Sequence, residues 1–265
     1  MRRVFCWGCS YTSYLWPTWA DWLALDNPNV KVYNMGKPGI GNQGIAMMRE
    51  ATDHLVGRHE SDLHLCLWTS FDRMDHYNTN TGWDPCVGSI SAYDFMPDIL
   101  DVLWSEPWAY MFNTHLITST PMDHSAIAML YDSGDYDEHN KSIPNFTNFK
   151  HRYPDSWQSV MAEIDGHPSP VKHWAWYEKH IRGKFSLTGN GINIDTVLKH
   201  QRKLERKAEE LRPQGDRAVR DQFGDIQIDW ISKYNIVRIE QTPWYTDNDE
   251  IIAHYRKMLR GHFSE

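Results

Sequence analysis

Hydrophobic positions come in short solid blocks along the first part of the chain. Residues 4–7 (VFCW), 30–33 (VKVY), 63–68 (LHLCLW) and 115–118 (HLIT) are rich in branched and aromatic side chains. Blocks of this length and branching predict buried strands, as in a parallel sheet. Between the first three blocks the period becomes helical. Residues 45–56 space Ile45, Met48, Ala51 and Leu55 three or four apart and leave Arg49, Glu50 and Asp53 on a wet face. Residues 17–25, with Trp19, Trp22 and Leu23, predict a shorter helix. The order β-α-β-α-β predicts a three-layer α/β/α domain of the flavodoxin-like kind, with a mostly parallel central sheet. Right-handed crossovers then place the functional loops at the carboxyl ends of the strands.

From residue 75 to 113 the pattern loosens through HYNTNTGWDPCVGS into an apolar stretch (Ile99, Leu100, Val102, Leu103) that predicts a helix. This segment reads as an insertion over the strand ends. After residue 184 the texture changes again. TVLKHQRKLERKAEEL (196–211) predicts a charged helix with a thin apolar stripe of Val197, Leu204, Ala208 and Leu211, ended by the breakers in RPQGD. IQIDWI (226–231) fits a strand or a helical turn, NIVRIE (235–240) fits a strand, and the segment from Thr246 to Leu259 predicts a last helix. The expected organisation is one domain over 1–184 and a mostly helical C-terminal extension over 185–265. The thin stripe suits a partner contact, so a homo-oligomer formed through the extension is an expectation.

The 265 residues, 41% hydrophobic and 23% charged, can bury a substantial core. A net charge of -8 argues against a broad grip on nucleic acid, which needs concentrated Lys and Arg. No apolar segment is long enough to cross a bilayer, and Met1-Arg2-Arg3 leads into a stretch interrupted at Gly8, so neither a signal peptide nor a membrane span is expected. The four cysteines (Cys6, Cys9, Cys66, Cys86) form no regular framework, and a cytoplasmic, reducing compartment fits them. The 13 tryptophans include Trp174-Ala175-Trp176-Tyr177; tryptophan mostly supplies core area, but aromatics beside polar neighbours also suit stacking on sugars.

Chemistry concentrates in three places. Gly8-Cys9-Ser10 ends the first predicted strand, where a serine is presented outward and the next backbone N–H groups are free. EIDGHPSPVKH (163–173) holds Asp165 and His167 two residues apart beside Pro168 and Pro170, so it can offer a base and its orienting carboxylate. NMGKPGIGNQGI (34–45) offers glycine N–H groups at a helix entry, suited to an oxyanion or a phosphate. It lacks the glycine order of a dinucleotide site and the Lys-Ser/Thr of a P-loop. His167 and His173 do not have metal-ligand spacing, and neither a metal nor a cofactor is expected.

Taken in this order, the blocks resemble those of the SGNH hydrolases, also called the GDSL lipase and esterase family. Gly8-Cys9-Ser10-Tyr11-Thr12 is similar to the GDSxT block, Asn34-Met35-Gly36-Lys37-Pro38-Gly39 to NxGxxG, and Asp165-Gly166-His167-Pro168 to the final Asp and His-Pro. The resemblance covers roughly residues 3–182. It implies a catalytic Ser10, a His167 base oriented by Asp165, and oxyanion stabilisation by the amides of Ser10 and Gly39. In two places the chain departs from the family. Cys9 stands where the family has Asp, and the third block, Leu67-Trp68-Thr69-Ser70-Phe71-Asp72-Arg73, has no Asn. Ser70, Thr69, Asn42 and Arg73 are the candidate replacements for that donor. Arg73 also suits an anionic substrate group, against a salt bridge to Asp72 or Asp75. The expected activity is removal of an O-acyl group from a glycan or other small polar ester. The alternatives are an inactive binding or structural module, for example in a phage particle, and phosphate binding by the Gly-rich loop.

Overall fold

A computed structural model of the chain describes residues 2–71, 73, 75–78, 82–84, 106–128, 167–189, 191–234 and 236–238. In chain order the described elements begin with β1 (Arg3–Gly8), α1 (Trp19–Asp26), β2 (Lys31–Asn34), α2 (Asn42–Val56) and β3 (Leu63–Trp68). A short antiparallel hairpin of β4 (His76–Asn78) and β5 (Gly82–Asp84) follows. Next come α3 (Glu106–Ser119), β6 (His124–Ile127), α4 (Pro170–His180), α5 (Ile194–Leu211), α6 (Asp216–Tyr234) and β7 (Val237–Arg238).

The main sheet runs β6-β3-β1-β2-β7, and every pairing in it is parallel. From β1 the chain steps outward to β2 and then back across β1 to β3. Right-handed crossovers put α1 and α2 on opposite faces. Helix α4 packs on α1, α5 on α4, and α3 on α2, which completes the three-layer α/β/α architecture expected from the pattern. The reversal of direction opens a crevice between the carboxyl ends of β1 and β3, the position at which open α/β sheets hold their sites. The central strands are buried on both faces, which accounts for the solid blocks in the sequence: all six residues of β3 are buried, as are five of six in β1.

The block at 115–118 is helical, not a strand. Ala109, Asn113 and Ile117 are buried at intervals of four on α3, so the period belongs to a helix, and the strand beside β3 is His124–Ile127 instead. A run of four residues fits either period, and only the flanking turns of helix separate the two. IQIDWI likewise lies in α6, where Val219, Phe223, Gln227 and Trp230 are buried at helical spacing. Val237–Arg238 does pair with β2 at the sheet edge. The predicted helices around Ile99 and over 246–259 lie outside the described residues.

The tryptophans form the core. Trp7, Trp19, Trp22, Trp68, Trp174 and Trp176 are fully buried, and so is Tyr177. The Trp174–Tyr177 run is therefore not a sugar-stacking surface, because α4 turns it against α1 and the sheet. Each such indole removes about 150–250 Å² from water, on the order of 4–6 kcal/mol. The apolar stripe of α5 is also buried within the chain. Val197 joins the main core, while Leu204 and Ala208 form a second cluster with Trp16, Val219 and Phe223. Among the described residues no helix is long and apolar enough to cross a membrane.

Several core histidines are held neutral. Burial, with Arg49 as a second cause, lowers His64 to about 4, and burial together with Lys184 lowers His124 to about 4. In the unfolded chain both titrate near 6.5, so between about pH 6.5 and 4 the unfolded state binds more protons. Stability is then complete above about pH 6.5 and falls as the pH drops through that window, by on the order of 3 kcal/mol for each histidine. Urea midpoints at pH 7.5, 5.5 and 4.5 are expected to decline in that order, and a flat series would contradict neutral burial.

Candidate active site

Strand β1 ends in a corner that only glycine can make. Gly8 has φ +152°, and a Cβ there would lie 2.1 Å from Thr12 Oγ1 and 2.6 Å from the Leu67 carbonyl oxygen of β3. The N–H groups of Thr12 and Ser13 then donate to the Cys9 carbonyl at 2.9 and 3.2 Å, turning the chain with Ser10 and Tyr11 at its tip. The loop after β2 lies directly on this turn: Lys37 N–H donates to the Gly8 carbonyl at 2.9 Å, and a Cβ on Gly36 would meet Ser13 N at 2.7 Å.

His167 meets Ser10 across 157 positions of sequence, with Nε2 at 2.9 Å from the serine Oγ. The imidazole stacks on Tyr14, with ring centroids 3.9 Å apart and planes 14° from parallel. Its loop is fixed from behind, because Trp16 Nε1–H donates to the Pro168 carbonyl at 2.8 Å and Trp22 Nε1–H to the Pro170 carbonyl at 3.0 Å. Ser169 caps α4, and Pro170, which needs no N–H donor there, opens it. Asp165 lies outside the described residues. His173 is fully buried on α4, edge-on to Tyr11, and burial followed by the nearby His167 holds its imidazole well below the usual range. It belongs to the core and faces no solvent.

The remaining sequence candidates divide by whether their donors are engaged. Asn42 is not a free oxyanion donor. Its Oδ1 accepts from Thr69 N–H at 2.9 Å, and its Nδ2 donates to the Thr69 carbonyl at 3.1 Å and to Asn113 Oδ1 at 2.7 Å, which uses both amide hydrogens. Asn42 thus sets the corner at which Thr69 and Ser70, both buried, leave β3. The phosphate reading of the Gly-rich loop also fails, since a carboxylate already occupies the start of α2: Asp75 accepts from Gly41 N–H at 2.8 Å and from Gly44 N–H at 2.6 Å. Among the described residues, by contrast, the backbone N–H groups of Ser10 and Gly39 donate to nothing. Arg73 forms no salt bridge with Asp75, and its Nε and Nη1 are buried without a hydrogen-bond partner.

Beneath the serine turn lies a polar hub absent from the sequence expectations. Asp21, with no exposed surface, receives Arg238 Nε at 3.0 Å and Nη2 at 2.5 Å, together with Asn34 Nδ2 at 3.0 Å and Thr18 N–H at 2.8 Å. The same Asn34 amide donates to the Thr12 carbonyl at 2.7 Å, and Arg238 Nη1 donates to the Tyr14 carbonyl at 2.6 Å. Three chain segments, the start of α1, β2 and β7, are therefore tied to the loop that carries Ser10 and Tyr14. The Thr18-x-x-Asp21 spacing is a capping-box signal that points to part of this hub, whereas nothing in the sequence marks Arg238.

No family model matches the chain, and no curated protein does. Among solved structures it is similar to a member of the lipolytic protein G-D-S-L family from Veillonella parvula DSM 2008, at 10% identity over 100% of both chains and with a TM-score of 0.29. A likeness that distant carries no argument, and the α/β architecture rests on the strand order and pairings described above.

Removing Arg238 leaves the Asp21 carboxylate buried and unpaired. Arg238→Met is expected to lower the unfolding free energy by about 3–5 kcal/mol, and Asp21→Asn in the same chain to restore much of it. Urea denaturation of the three proteins measures this; a single-variant loss under about 1 kcal/mol would place the pair with ordinary surface bridges.

Proposed function

We propose that the chain is a serine hydrolase that cleaves small polar esters through an acyl-enzyme, as its resemblance to the SGNH hydrolases implies. The observation that carries this reading is the 2.9 Å contact between His167 Nε2 and Ser10 Oγ at the carboxyl edge of a parallel sheet. Ser10 Oγ attacks the ester carbonyl carbon while Nε2 takes the hydroxyl proton. The oxygen that gains charge faces the unengaged N–H groups of Ser10 and Gly39. The intermediate collapses, the C–O bond to the alcohol breaks, and the leaving oxygen takes the proton from His167. Water then repeats the sequence on the acyl-serine and frees the acid. Tyr14 fixes the imidazole plane, and the resemblance to the family's last block implies Asp165 as the carboxylate that orients the ring. With Trp174, Trp176 and Tyr177 in the core, the aromatic argument for a glycan acceptor is gone, so the substrate class is a small polar ester.

A second reading is a binding module that retains the hydrolase architecture without turnover. It is favoured by the engagement of Asn42, which leaves the corner after β3 without an asparagine side-chain donor; such a donor is typically worth about 10²–10³ in rate.

Covalent labelling separates the two. A fluorophosphonate is expected to label Ser10 in the wild-type chain, slowly in His167→Gln and not at all in Ser10→Ala. Turnover of p-nitrophenyl acetate is expected to fall at least about 10³-fold in Ser10→Ala. An unlabelled wild type would establish the binding module, and unchanged turnover in Ser10→Ala would remove Ser10 from the chemistry.

A further inference from the structure

Beyond the β3 corner, Phe71, Arg73, Asp75, Gln43 on α2, and Trp108 and Phe112 on α3 enclose a pocket of about 70 Å³, with Ala109 and Asn113 at its base. A water needs roughly 10–15 Å³ of such space, so the pocket holds a small group of several heavy atoms. One wall is flat and apolar: the Trp108 and Phe112 rings stack 5.1 Å apart with planes 5° from parallel, and Phe71 is buried beside them. The polar feature is the guanidinium. Arg73 cannot lose its proton, and its Nε and Nη1 have neither solvent contact nor an acceptor. A buried donor left unmade costs about 1–3 kcal/mol, more when charged, and folded proteins rarely tolerate it.

Of the side-chain acceptors that line the pocket, Asp75 and Asn113 are engaged elsewhere, and none, Gln43 included, bonds Arg73 Nε or Nη1. Asp75 takes the N–H groups of Gly41 and Gly44, and Asn113 Oδ1 takes the Asn42 amide. The Phe71 and Ala109 carbonyls receive Asn113 Nδ2 at 3.4 and 2.7 Å. Among the described residues no group accepts from these two nitrogens, and an acceptor from outside the chain would satisfy the guanidinium.

We propose that this pocket binds the carboxylate of an organic anion, so that the ester substrate carries a carboxylate on an apolar stem. The stem follows from the ring wall. The Asp75 charge is met by the Gly41 and Gly44 N–H groups at the start of α2, which leaves the guanidinium to pair with one further negative charge, whereas a phosphate dianion would set a second one against Asp75. The word ester rests on the hydrolase reading above, but the binding of a carboxylate does not.

The test reads the side-chain Nε–H resonance of Arg73 in the full chain by ¹H–¹⁵N NMR, assigned by its loss in Arg73→Lys. Benzoate is expected to move this resonance saturably. Arg73→Lys, shown folded by an unchanged backbone spectrum, is expected to bind benzoate at least tenfold more weakly, measured by calorimetry. Inorganic phosphate at equal ionic strength is expected to leave the resonance in place. No saturable shift with benzoate, or equal benzoate affinity in Arg73→Lys, would overturn the site; tighter binding of phosphate would overturn the carboxylate assignment. Fluorophosphonate labelling of Ser10 is read separately, so either idea can fail while the other stands.

Discussion

Asp21 carries its carboxylate to a place with no solvent contact, and the serine turn is built over it. A lone charge there would cost several kcal/mol; a two-nitrogen contact from Arg238, with N–H groups from Thr18 and Asn34, makes it tolerable. The pair spans 217 positions and ties the last described strand to the first helix. The other arm of Arg238 holds the Tyr14 carbonyl, and Tyr14 is the ring on which His167 lies. A single buried ion pair thus links the edge of the sheet to the orientation of the imidazole. This gives residues after 184 a physical connection to the candidate site, reinforced by the α5–α6 pair, whose Leu204, Ala208 and Phe223 pack on Trp16.

The abundant indoles act as apolar mass and as polar tethers at once. Trp16 and Trp22 point their N–H groups at the carbonyls of Pro168, next to the histidine, and of Pro170, the first residue of α4. Proline cannot donate, so these carbonyls offer the loop's backbone as acceptors only, and buried indoles need an acceptor. Each requirement meets the other, and the loop is fixed without regular secondary structure.

Around the crevice, most polar groups are already committed. Asn34, Asn42, Asp75 and Asn113 all serve backbone groups or one another. Among the described residues, the N–H groups of Ser10 and Gly39 and the buried nitrogens of Arg73 are uncommitted donors. Fixed donors awaiting charge are the arrangement that stabilises an anion without reorganising, because their orientation is set by folding. The contrast between committed and uncommitted groups, more than any single residue, gives the crevice its chemical character.

The parallel sheet was legible in the chain because strands buried on both faces must be largely apolar, and 4–7, 30–33 and 63–68 are, with Lys31 and His64 as the exceptions. The turn at Gly8-Cys9-Ser10 was legible too, since the apolar run stops abruptly there, whereas the press of Leu67 that requires Gly8 was not. The short run at 115–118 was not legible, as four residues satisfy two periods and the helix is held by its packing on α2. Nor was the role of Asn42: its amide could have faced a substrate as readily as the Thr69 backbone until the register of β3 beside β1 placed that backbone within reach. Local composition fixes what each segment can bury, which is why elements and corners are written in one dimension. Which buried charge meets which partner depends on segments more than two hundred residues apart arriving at the same point, and only the packed chain decides that.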